Sequence, residues 1–238
     1  MITLSNNLPD INIKSVVYVK LMCLYAAYRE YDKIALFWVQ RDDSDNITAL
    51  ISLIDNNMII CRDGGDEAEL RCFINAISPT TVFTDLDTAN VLGLKIVTEC
   101  ASLCKAPPFD TARKIENTYE GLERVYDVLS KHLDVGDRQG FIADMSHRIR
   151  RGTAGYVTSK FSAGVILYNE KYATLAGIAV DSDNRRSGLG TATLNRLLEI
   201  IRDRTVYICA EYKNVPFYES NGFKVESKAA YCILRKED

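Results

Sequence analysis

The stretch Leu175-Ala-Gly-Ile-Ala-Val-Asp-Ser-Asp-Asn-Arg-Arg-Ser-Gly-Leu-Gly-Thr-Ala-Thr-Leu194 runs from an apolar strand through a basic, glycine-containing turn into a helix. Arg185 and Arg186 lead into Gly188 and Gly190, so two cations and two side-chain-free positions meet at a helix start. Bare N–H groups there lie at the positive end of the helix dipole and suit phosphate. Taken alone, the same residues also read as a solvated turn with ordinary helix-start glycines.

Reading outward, Leu194, Leu197, Leu198 and Ile201 line one helix face, and Val206–Ala210 is the next strand. Strand, turn, helix and strand in that order form a right-handed crossover between parallel strands. Upstream, strands are expected near 153–158, 163–168 and 172–180, with Asn169 and Glu170 as the turn between the last two. Two helices precede them. One runs over 119–133 on Leu122, Val125, Tyr126, Leu129 and Leu133, and the other is capped by Asp137 and runs to about Arg150. Arg148, Arg150 and Arg151 at its end read either as a basic patch or as the usual complement of a helix C-terminus. Downstream, a short helix carries Phe217 and Tyr218, and strands near 222–227 and 229–235 close the chain.

The spacing Arg185-x-x-Gly188-x-Gly190 resembles the pyrophosphate signature of the GCN5-related N-acetyltransferase (GNAT) superfamily. Asn214-Val-Pro-Phe-Tyr218, followed by Gly222-Phe223, resembles its second signature in the expected order. The resemblance covers roughly residues 117–235. It implies an α/β (α+β) fold, a mixed central sheet flanked by helices, and acyl transfer from acetyl-CoA to an amine. Ile178, Ala179 and Val180 then correspond to the strand that holds the pantetheine arm. Arg185, Arg186, Ser187, Gly188, Leu189, Gly190 and Thr191 correspond to the pyrophosphate turn. Arg186 is the ionic contact, whereas Arg185 either contacts phosphate or braces the loop. Asn214 corresponds to a side-chain contact with the cofactor arm, or else caps a helix. Tyr218 corresponds to the general acid, or else packs its helix on the sheet with Phe217. For the base, Glu170 and Glu211 are candidates beside ordered water.

The first half echoes the second. A helix at 14–30, strands near 33–40, 47–54 and 57–62, a helix at 66–77, a strand at 81–85, a short helix near 87–92 and a strand at 94–103 repeat the order. This suggests a degenerate copy of the same fold in tandem. Its turn, Cys61-Arg-Asp-Gly-Gly-Asp-Glu-Ala-Glu69, places carboxylates where phosphates would sit, so it reads as a packing partner rather than a second cofactor site. Lys105-Ala-Pro-Pro-Phe-Asp-Thr111 reads as a spacer. The division expected is 1–105, a linker at 106–116, and a catalytic domain at 117–238. Residues 1–105 carry a net charge of −5 and residues 106–238 a net charge of +2, so an anion belongs to the second half.

Bulk properties narrow the classes. A net charge of −3 over 238 residues argues against a general nucleic-acid binder. No apolar run approaches a membrane span and no leader opens the chain, so a cytoplasmic protein without a membrane partner is expected. Seven cysteines without a Cys-x-x-Cys pair read as reduced thiols. The two histidines, His132 and His147, have no cysteine neighbours, so no metal is expected. The turn lacks the Gly-Lys-Ser/Thr ending of nucleotide hydrolases and, with Thr193, the third glycine of dinucleotide folds. The leading expectation is an N-acetyltransferase using acetyl-CoA on a small-molecule or peptide amine. The rivals are a non-catalytic acyl-CoA-binding or regulatory protein and a purely structural tandem domain. The acceptor and the oligomeric state stay open.

Overall fold

The computed structural model describes residues 1–11, 13–109 and 121–234. Its elements in chain order begin with β1 (Ile2–Leu4), α1 (Val16–Tyr28), β2 (Ala35–Arg41), β3 (Ile47–Ile54), β4 (Asn57–Arg62), α2 (Glu67–Ile77), β5 (Thr81–Asp85), α3 (Leu86–Val91) and β6 (Lys95–Lys105). The second series is α4 (Leu122–Leu129), α5 (Arg138–Arg150), β7 (Ala154–Thr158), β8 (Ser162–Tyr168), β9 (Tyr172–Val180), α6 (Leu189–Ile201), β10 (Thr205–Ala210), α7 (Val215–Ser220) and β11 (Lys224–Ile233). From β2 and from β7 onward the two halves repeat one pattern: three strands, a helix, a strand, a short helix and a strand.

Local chemistry sets the boundaries. The Ser15 hydroxyl accepts from Tyr18 N–H at the start of α1, and Asp137 accepts from Gln139 and Gly140 N–H at the start of α5. Asp55 and Asn56, with φ of 46° and 59°, make the two-residue turn that joins β3 to β4. Asn169 Oδ1 accepts from the N–H groups of Lys171 and Tyr172, each at 2.8 Å, and so turns β8 into β9.

The chain divides into two compact units, Met1–Cys104 with Cys209–Asp238, and Lys105–Ile208. The sequence division keeps 209–238 with the second half, whereas these residues pack with the first; of the expected linker, 110–116 lie outside the described residues. In the first unit the strand order is β1-β2-β3-β4-β5-β11-β6. β4 and β5 run parallel, and β11 is antiparallel to both β5 and β6. Its core gathers Ile51, Met58, Ile60, Leu70, Ile74 and Val82 around Trp38. In the second unit β7, β8 and β9 form an antiparallel meander, and β10 adds parallel to β9 through the α6 crossover. The fully buried Leu194, Leu197, Leu198 and Ile201 fix α6 to this sheet, each side chain removing about 1.5–3 kcal/mol worth of apolar surface from water.

Three expectations are corrected. The described residues end in one strand, not two: the irregularity there is a bulge between Val225 and Ser227 that leaves β11 paired with β6 on either side. α4 stops at Leu129 rather than 133, and beyond it the Leu129 carbonyl accepts from the N–H groups of both His132 and Leu133, each at 2.9 Å. Arg148 is not part of a surface patch; it lies in the last turn of α5, buried, and its Nε donates to both carboxylate oxygens of Asp144 at 2.8 and 2.9 Å.

Candidate active site

β9 carries the geometry that matters most. Its ladder with β10 spans Tyr172–Thr174 against Thr205–Tyr207, and the rest of β9 continues beside β8. Where that ladder stops, Ala176 is an extra residue opposite β8, between the pairs Val165/Gly177 and Ile166/Leu175. A bulge at that point bends the strand, a common device beside functional sites. Beyond it, Asp181 N–H donates to the Phe161 carbonyl of the β8 side at 2.8 Å. Because backbone groups alternate along a strand, Ala179 also turns its N–H and C=O toward β8, while Ile178 and Val180 turn theirs to the opposite edge. Of the three strand positions expected to meet a cofactor arm, Ile178 therefore offers both main-chain groups there and Val180 its N–H, its carbonyl accepting from Arg185, while Ala179 supplies a buried side chain.

The turn follows directly. A short 3-10 turn at Ser182–Asn184 leads to Arg185, which is extended, and to Arg186, held at φ 61°. Ser187 Oγ donates to the Asn184 carbonyl at 2.6 Å, so that hydroxyl serves the loop itself. Gly188 then sits in the left-handed region at φ 85°, where a side chain would be strained, and begins α6. No side chain caps this helix, and the first backbone bond is Ala192 N–H to the Gly188 carbonyl at 3.0 Å. The N–H groups of Leu189, Gly190 and Thr191 belong to the open first turn. Thr193, two residues on, is buried and donates to Leu189 O or Ser162 Oγ, both at 2.8 Å, which holds the helix start against β8.

The two arginines differ. Arg185 Nε donates to the Val180 carbonyl at 3.3 Å and its Nη2 lies 3.3 Å from His132 Nδ1, so it braces the loop. Arg186 is exposed and has no hydrogen bond or ion pair among the described residues.

The first half's equivalent turn is closed by contrast. Asp66 accepts from Glu69 N–H at 3.0 Å and caps α2; Arg62 pairs with Glu67 at 2.7 Å; and Gln40 Nε2 reaches both the Asp66 carbonyl and Glu69, each at 2.9 Å. A Cβ on Gly65 would stand 2.4 Å from Thr48 Oγ1 and 2.5 Å from Gln40 Oε1, so the loop lies directly on its own sheet. Its Glu69 donor is taken by the cap and its charges are negative, which disfavours an incoming phosphate.

Asn214 and Tyr218 belong to the first compact unit. Asn214 starts α7 without a side-chain cap bond, which removes helix capping as its role. Tyr218 is 7% exposed and meets Phe217 and Phe223 edge-on at 5.0 and 5.9 Å, so it does pack the helix as well. Burial and the Cys209 thiol push its hydroxyl up to about 12. Glu170 is exposed at its turn, and Glu211 is exposed and paired with Lys213 at 2.6 Å. His132 was not legible as part of the site, since only its position after an amphipathic helix marked it.

A family model described as an acetyltransferase (GNAT) domain matches residues 139–225. No curated protein matches the sequence. Among solved structures, the chain resembles a tandem GNAT protein from the clavulanic acid biosynthesis pathway, at 13% identity and a TM-score of 0.57 over 90% of this chain and 92% of that one. It also resembles a GCN5-related N-acetyltransferase from Kribbella flavida, at 13% identity and 0.58 over 79% and 87%. An acetyltransferase of the GNAT family from Colwellia psychrerythraea matches at 14% identity and 0.55 over 99% and 100%. Identities this low speak for fold. Residues 139–225 thus match the model of a GNAT acetyltransferase domain, and the chain's fold resembles that of tandem GNAT proteins.

Proposed function

We propose that the chain is an acetyl-CoA-dependent N-acyltransferase with one active site, in its C-terminal half, acting on a primary amine of a small molecule or peptide. GNAT family and fold support acyltransferase activity. The observation that carries the finer reading is the uncapped start of α6 after Gly188, beside a β9 edge that β10 leaves, while the first half's turn is closed.

Bound acetyl-CoA supplies an acyl group already activated as a thioester. The N–H groups of Ser187–Thr191 hold pyrophosphate oxygens, and Arg186 adds a charge-assisted contact. Ile178 and Val180 orient the arm through main-chain groups, with Asn214 as a side-chain partner. Tyr218 keeps its proton at neutral pH, because its hydroxyl is pushed up to about 12, and gives it to the departing sulfur. The new C–N bond forms as the C–S bond breaks, and the amine's proton leaves to water, since neither Glu170 nor Glu211 is set in a protected place.

The exposure of both carboxylates favours a second reading, a non-catalytic acyl-CoA-binding protein. Thiol release from acetyl-CoA across a broad amine panel separates the two. Turnover that falls at least about tenfold in Tyr218→Phe, with acetyl-CoA affinity kept, fits the enzyme and its acid. Binding without thiol release from any amine would leave the binding protein.

A further inference from the structure

His132 lies just beyond α4, with its side chain 17% exposed, and it meets Arg185 at the start of the turn. Its Nδ1 is 3.3 Å from Arg185 Nη2. Its Nε2 is buried without a hydrogen-bond partner and stands 3.6 Å from Asp181 Oδ1, which Lys131 also approaches at 3.3 Å. Arg185 reaches on to the Val180 carbonyl at 3.3 Å. A row of groups thus joins the end of α4, the end of β9 and the residue that opens the turn.

An arginine only donates, so the imidazole must accept at Nδ1 and carry its proton on Nε2, facing Asp181. The charged groups facing the ring are Arg185 from the turn, Asp181 from the end of β9 and the neighbouring Lys131.

We propose that His132 is a positioning residue for the cofactor turn: accepting at Nδ1, it latches Arg185 to the end of β9 and so supports cofactor binding. This rests on the acetyl-CoA reading above. The latch holds the backbone from which Arg186 and the open N–H groups project, so loosening it costs affinity without removing any ligand contact.

Imidazole 15N spectra of the free protein test the latch itself, and two histidines make the assignment tractable. The expected result is His132 in the Nε2–H tautomer, turning to a mixture in Arg185→Ala. Calorimetric titration of acetyl-CoA then tests the consequence. His132→Ala is expected to weaken binding by about three- to tenfold at about pH 8, the size of one typical net hydrogen bond. His132→Asn, whose Oδ1 replaces the Nδ1 acceptor and does not titrate, is expected to stay within about twofold. An Nδ1–H tautomer, or acetyl-CoA affinity in His132→Ala within about twofold of wild type, would overturn the proposal while leaving the cofactor reading intact. The expected tautomer in a protein that binds no acetyl-CoA would overturn the cofactor reading, and the control of affinity with it.

Discussion

Arg186 and Arg185 stand side by side in sequence and part company in structure. Arg185 spends its donors on a carbonyl and an imidazole, whereas Arg186, at φ 61°, has no hydrogen bond or ion pair among the described residues. A non-glycine residue held in that region costs about 1 kcal/mol or more, which the loop bears while presenting a cation. Asp85 makes a different point at the same scale. Burial pushes its carboxyl up to about 6, and Ser15 Oγ at 3.5 Å gives it little help. A carboxyl raised in the folded state favours folding fully below its unfolded value near pH 4, and that contribution is lost as pH rises through about 6. Asp85 starts α3 without a side-chain cap bond, so Asp85→Asn removes the titration and no cap. Urea unfolding is expected to show the variant gaining on wild type between about pH 4 and pH 8, by on the order of 2 kcal/mol at the upper end. Equal pH dependence in both would remove Asp85 as the cause.

At the scale of elements, periodicity made most of the fold legible. The strands β2–β5 and β7–β9 and the helices α1, α2, α5 and α6 fall within a few residues of their expected positions, because apolar spacing and Ser or Asp caps mark them directly. What local pattern did not carry was partnership. β11 reads as a terminal pair of strands of the second half, yet it is one strand that lies between β5 and β6. Its alternation reports a buried face and says nothing of which strands flank it. Ala230 is fully buried and pairs with Thr84 on one side and Glu99 on the other. Ala230→Pro would remove a donor from a central strand. Hydrogen exchange is expected to show protection lost across β5 and β6 while β7–β9 and α6 keep theirs. Retained protection in β5 and β6 would argue against β11 as the strand that completes that sheet.

For the whole molecule, the two halves share an order of elements and differ in their turns. The acidic stretch from Asp63 to Glu69 indicated a closed first turn, and the structure adds the physical means: Gln40, Thr48 and the Asp66 cap fill it. The basic turn that opens α6 was legible because its residues are contiguous in sequence. The latch was not, because His132 and Arg185 lie far apart along the chain and only folding brings them to 3.3 Å. The acceptor is likewise absent from any contiguous motif, since it is set by side chains that folding assembles.

The central claim is that the start of α6 binds the cofactor, once per chain. Calorimetric titration of acetyl-CoA into wild type and into Arg186→Ala with Gly188→Ala, both checked for folding by circular dichroism, tests it most directly. The account predicts one saturable site, weakened at least about tenfold in the variant, or roughly 1.4 kcal/mol. No binding to the wild type, or equal binding by the two proteins, would contradict it.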